Sequence, residues 1–122
     1  MTNKTAWKLY ERYLEGWKAI SAAERNTIVA EVLAEDVQYS TRLHESGNGQ
    51  TVVEDMAAFQ EKFPGGHFDI GDVSAHHEHA LLTWVLVQAD GTIFAQGHDQ
   101  IRISQGGKIV NLITFPPSTS TP

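Results

Sequence analysis

The sequence contains no cysteine in 122 residues, which excludes disulfides, thiolate nucleophiles and cysteine-ligated zinc and leaves the redox compartment open. It is also poor in positive charge. Nine Lys and Arg against fifteen Asp and Glu give a net charge of -6, with no basic run to neutralise a phosphate backbone or hold an anionic membrane. No nucleic acid and no membrane partner is therefore expected. No apolar run is long enough to span a bilayer, and the opening MTNKTAWKLYERY lacks the apolar core of a signal peptide, so a cytoplasmic location is expected. Phosphate-cradling loops are missing as well, since Gly47, Gly49, Gly65 and Gly66 are followed by no Lys-Ser/Thr pair. What remains is 41% hydrophobic and 20% charged, an ordinary composition for a globular domain with a real core.

The patterning divides this chain into helices first and strands after. Trp7, Tyr10, Leu14 and Trp17 recur at spacings of three and four, with Tyr13 and Ile20 beside them and Lys8, Glu11, Arg12 and Glu15 opposite, which predicts an amphipathic helix. Ser21-Ala22-Ala23-Glu24 reads as a capping box opening a second helix, whose buried stripe is Ile28, Val29, Val32 and Leu33. From Asp36 the period becomes two, placing Val37, Tyr39, Thr41 and Leu43 on one face of a strand. A third helix is expected to start at the possible capping box Thr51-Val52-Val53-Glu54, to bury Met56, Phe59 and Phe63, and to end before Pro64-Gly65-Gly66. Four strand-like runs follow, at about 67–74, 80–88, 92–104 and 108–115, with tight turns at Asp90-Gly91 and Gly106-Gly107. This order predicts an α+β fold of helices packed on one sheet face, a single domain over 1–115 and a flexible C-terminal tail over 116–122.

The element order, the aromatic first helix and the closing pattern Gly97-His98-Asp99-Gln100-Ile101-Arg102-Ile103, a Gly-Gly turn, then Lys108-Ile109-Val110 together resemble the NTF2-like superfamily, in particular its SnoaL-like and ketosteroid-isomerase-like members. The likeness runs from about Trp7 to Phe115. It implies an NTF2-like cone, three helices on a strongly curved antiparallel sheet enclosing a pocket, and a homodimer formed through the outer sheet face.

Within that frame Asp99 is the leading chemical group. Alternation puts it on the apolar face with Gly97, Ile101 and Ile103, where desolvation raises a carboxyl's pKa; the alternative is a carboxylate paired or solvated at the pocket mouth. By resemblance it matches the acidic oxyanion-hole residue of ketosteroid isomerase, and Tyr13 matches the tyrosine of the same hole, although a helix would also use Tyr13 merely for packing. The first-strand position that holds that enzyme's catalytic base is occupied by Thr41, which cannot shuttle a proton at neutral pH, so classical steroid isomerisation is not expected. His44, just downstream, is the candidate base, with Glu45 beside it. Trp17, Tyr39, Thr41, Phe59, Trp84, Ile101, Leu112 and Thr114 are the expected pocket lining, suited to a flat, uncharged, hydrophobic small molecule.

The six histidines invite a metal, above all His76-His77-Glu78-His79, but ligands between two strands do not make a zinc-site pattern, and no metal or other cofactor is expected. His98 is expected on the outer sheet face, at a dimer contact, and His67 near the pocket rim. The resulting expectation is a cofactor-independent acid/base enzyme of isomerase, cyclase, lyase or epoxide hydrolase type. The alternative is a non-catalytic NTF2-like ligand-binding or assembly module, which the absent first-strand carboxylate favours.

Overall fold

A computed structural model describes all 122 residues. Helix α1 spans Asn3–Glu15, capped by the Thr2 side chain, which accepts from the Thr5 amide. Helix α2 spans Ala22–Val32 and starts at the Ser21/Glu24 capping box foreseen from the sequence. Helix α3 spans Gly49–Lys62, and here the cap differs from expectation: Asn48 caps the helix and Thr51 closes the box, three residues upstream of the proposed start. Asn takes that place because its side-chain oxygen reaches the Thr51 amide as well as a threonine could.

Five strands follow the sequence periodicity: β1 (Leu33–Ser40), β2 (His67–His76), β3 (His79–Val87), β4 (Ile93–Ile103) and β5 (Ile109–Phe115). They lie in the order β1-β5-β4-β3-β2. The last four form an antiparallel meander, whereas β1 runs parallel to β5, with Tyr39 opposite Leu112.

Two expectations are corrected. The strongly curved antiparallel cone is not found: the sheet is mixed and open, neither closed nor strongly curved, with β1 and β2 as its edges. A period of two reports which face a residue takes but is silent on strand direction, and the long connection from β1 through α3 and the meander allows a parallel pairing that no hairpin would. Strand β1 also stops at Ser40. Thr41 instead turns the chain, its hydroxyl accepting from the amides of Leu43 and His44, and Leu43 is left 77% exposed.

The helices cover one face. α1 packs across β2 and α3 across β1, with α2 between them. The core gathers Tyr10, Tyr13, Val32, Val37, Tyr39, Met56, Leu82, Ile101, Ile109 and Leu112, all at most 2% exposed. Ordering such residues is worth roughly 1.5–3 kcal/mol for each large side chain removed from water.

Two polar anchors, Arg25 buried and Gln60 half-buried, hold the connections. The guanidinium of Arg25, 7% exposed, donates to the carbonyls of Gly16, Lys18 and Ile20, so a buried cation closes the α1–α2 turn. The amide of Gln60 donates to the carbonyls of Trp17 and Gly66 and its oxygen accepts from the Gly65 amide, which fixes Trp17 just beyond the end of α1.

Candidate functional site

On β4, Gly97, Asp99, Ile101 and Ile103 turn inward while Gln100 and Arg102 are exposed, so the strand's own alternation carries a carboxyl into the core. Asp99 is 4% exposed. Its Oδ2 accepts a 2.6 Å hydrogen bond from the Tyr10 hydroxyl, whereas Oδ1 has no partner. Burial pushes the carboxyl up from 3.8 to about 6; the Tyr10 hydrogen bond opposes this, as does the cross-strand Thr114 hydroxyl, which acts more weakly from outside hydrogen-bonding geometry. The same desolvation, reinforced by the Asp99 charge, holds Tyr10 and Tyr13 well above the ordinary tyrosine range.

Asp99 forms part of the wall of an inner cavity of about 120 Å³. Tyr10, Tyr13, Leu14 and Trp17 from the first helix and its end supply one side, and Tyr39, Phe68, Trp84, Leu86 and Thr114 from the sheet supply the other. The rings are interlocked edge to face: Phe68 lies 5.4 Å from Trp17 and 5.5 Å from Trp84, each at more than 80°. Gly97 makes room for this, because a Cβ there would stand 2.7 Å from Cε2 of Trp84 and 2.6 Å from the Phe115 carbonyl. A second, outer cleft of about 390 Å³ shares Trp17, Trp84 and Thr114 with the cavity and adds Thr41, Arg42, Asp55, Phe59, Lys62 and Pro116 among its walls.

The predicted site residues divide accordingly. Trp17, Tyr39, Trp84 and Thr114 line the inner cavity, Thr41 and Phe59 reach only the outer cleft, and Ile101 and Leu112 are solid core. Tyr13 lines the cavity, but the phenol bonded to Asp99 is Tyr10, one helical turn earlier. His44 lines neither space. Its Nε2 lies 3.0 Å from Oδ1 of Asp55, whose Oδ2 accepts from the Tyr39 hydroxyl at 2.8 Å. Asp55 thus ties His44 to the cavity wall, and nothing in the pattern around it had singled it out. His76, His77 and His79 crowd the β2–β3 turn without forming a set of three that could hold a metal.

Searches for related proteins find no matching protein-family profile and no matching curated protein. Solved structures do match. A SnoaL-like family protein from Agrobacterium tumefaciens str. C58, for which an isomerase activity has been suggested, superimposes with a TM-score of 0.84 at 25% identity, over 94% of this chain and 99% of that one. The chain is a SnoaL-like member of the NTF2-like superfamily. For this SnoaL-like protein two more distant structures support the fold alone. They are an NTF2-like protein of unknown function from Exiguobacterium sp. 255-15 (TM-score 0.71, 17% identity, 91% and 99% of the two chains) and a SnoaL-like protein from Jannaschia sp. CCS1, suggested to be a polyketide cyclase (TM-score 0.73, 13% identity, 93% and 85%). No helix of this SnoaL-like protein is long and apolar enough to cross a membrane.

Proposed function

We propose that this protein is a cofactor-independent acid/base enzyme acting on a small, uncharged carbonyl or enol compound, with Asp99 as the group that moves the proton. The observation that supports this most is the half-partnered Asp99 carboxyl on the wall of an aromatic cavity, with a pKa raised to about 6. A carboxyl of that strength is about nine-tenths ionised at pH 7 and returns a proton readily, so it serves as base and then as acid within one turnover. No separate base is then needed. Tyr10 holds the carboxyl in place through Oδ2, and Oδ1 has no partner within the protein. Tyr13, whose proton is retained at all ordinary pH, is available as a donor to a developing oxyanion. His44 keeps a secondary role through Asp55 at the outer cleft.

Proton transfer next to a carbonyl is testable without knowing the natural substrate. Small ketones and enones incubated in D2O with the wild-type protein are expected to incorporate deuterium at the α position above the buffer rate, and Asp99→Asn is expected to abolish that excess while retaining the fold. Exchange that persists in the variant would remove Asp99 from the mechanism.

The second reading, a ligand-binding module without chemistry, draws on Thr41, which turns the chain at the place where a first-strand base would stand. Binding of a pocket ligand without any exchange would favour it. Homodimerisation belongs with either reading, since the outer sheet face exposes Leu81 and Phe115, and sedimentation at micromolar concentration distinguishes dimer from monomer.

A further inference from the structure

The outer cleft carries two cations, Arg42 and Lys62, where the inner cavity carries none. Both side chains are exposed, and none of the protein's ion pairs includes either of them. Lys62 instead holds its ammonium nitrogen over the Phe63 ring, 5.6 Å from the centroid, and Phe63 is itself a wall of the cleft. The one carboxylate in the cleft is Asp55. It spends Oδ1 on His44 and Oδ2 on the Tyr39 hydroxyl, so it is committed away from both cations.

Two cations against one committed carboxylate leave this cleft positive in a chain whose net charge is -6. Recesses elsewhere do not repeat the imbalance. Lys18 lies among Glu11, Glu15 and Asp69 in one of them, and Arg12 and Lys18 among Glu15 and Glu24 in another. A positive recess with apolar walls, against the charge of the whole molecule, is complementary to an anion with an apolar body. At about 390 Å³ the cleft has the size of a small-molecule site.

We propose that the outer cleft is a binding site for a small amphipathic monocarboxylate, its apolar body against Trp17, Phe59 and Trp84 and its carboxylate met by Arg42 and Lys62. The planar guanidinium suits a carboxylate through two parallel N–H donors, and the lysine adds a point charge beside it. A monoanion fits the charge balance, whereas a dianion would also meet the charge of Asp55 in the same space. This site goes beyond the reading of Asp99 and does not depend on proton transfer there.

The probes are hydrocinnamate, its uncharged amide, and acetate, which carries the anion without the ring. Titration of 15N-labelled protein in dilute buffer follows the backbone amides of Arg42, Leu43, Lys62 and Phe63, all residues of the cleft. Hydrocinnamate is expected to shift these amides and to bind about fivefold more tightly than the amide, the gain from two exposed charge contacts, and to lose that lead in about 0.5 M salt. Acetate is expected not to saturate. Replacing both cations, Arg42→Gln with Lys62→Gln, is expected to bring acid and amide to equal affinity; the two side chains are exposed and outside every ion pair, so the fold is retained. Equal binding of acid and amide by the wild type, no saturable binding of the acid, or a preference for the acid that survives in the double variant would overturn the inference. Acetate binding as tightly as hydrocinnamate would mean an adventitious ion only and overturn it equally. None of these readouts uses turnover, so failure here leaves the Asp99 reading standing, and an absence of deuterium exchange leaves this site standing.

Discussion

Replacing Asp99 by Asn separates the role of this carboxyl in function from its effect on stability, and the two run in opposite directions. The folded carboxyl titrates at about 6 against 3.8 for an ordinary aspartate, so between these values the folded state binds more protons than the unfolded chain. Stability therefore falls as pH rises through that window, and the loss is complete above the folded pKa. Just over two pKa units at about 1.4 kcal/mol each amounts to about 3 kcal/mol of destabilisation at pH 8, none of it present at pH 3. Asparagine is nearly isosteric, never ionises, and its side-chain oxygen still accepts from Tyr10. At pH 8 Asp99→Asn is thus expected to gain about 2–3 kcal/mol, a rise of about 10 °C in Tm for a domain of this size, while near pH 4 it is close to neutral. Urea and thermal unfolding at the two pH values measure this directly. A variant equally destabilised at both would refute the reasoning, because the aspartate would then be held by specific contacts rather than penalised by burial. The price of a desolvated acid at neutral pH is what a functional site shows and a merely structural one avoids.

Other perturbations follow from the same geometry. Tyr10→Phe removes the only hydrogen bond to the Asp99 carboxylate, worth about 1.5–3 kcal/mol to the charged form, and is expected to raise the Asp99 pKa by at least about one unit, read by carbon-detected NMR. Gly97→Ala drives a methyl into Trp84 and the Phe115 carbonyl; a loss of about 1–3 kcal/mol by urea unfolding and a shift in tryptophan emission are expected, and wild-type stability would show that Trp84 is free to move. Arg25→Met strands the three carbonyls of the α1–α2 turn and is expected to cost about 2–4 kcal/mol, a figure that hydrogen exchange at Lys18 to Ile20 would localise.

Periodicity disclosed most of this molecule. The Ser21 capping box, the change from a period of three or four to a period of two near β1, and the inward face of β4 are local properties of the chain, and each survives in the structure. What was not legible depends on comparison between distant segments. Tyr10 and Tyr13 lie on the same helical face, so spacing alone does not say which phenol meets Asp99, 89 residues away from Tyr10. Asp55 follows Glu54 in a helix whose spacing marks neither carboxylate, and only the packing of α3 against β1 brings it to Tyr39 and His44. Phe68 reads as a routine strand residue, yet it is the ring on which both cavity tryptophans close. The openness of the sheet and the parallel β1–β5 pair lie likewise beyond alternation, which specifies faces and leaves pairing direction free.

The most direct test of the central claim is the titration of the Asp99 carboxyl carbon by NMR, assigned by its disappearance in Asp99→Asn. The account predicts a midpoint near pH 6, the mark of a desolvated acid that exchanges its proton close to neutrality. A midpoint at or below 4 would contradict it: Asp99 would then be a paired or hydrated carboxylate, and the cavity a binding site without proton chemistry.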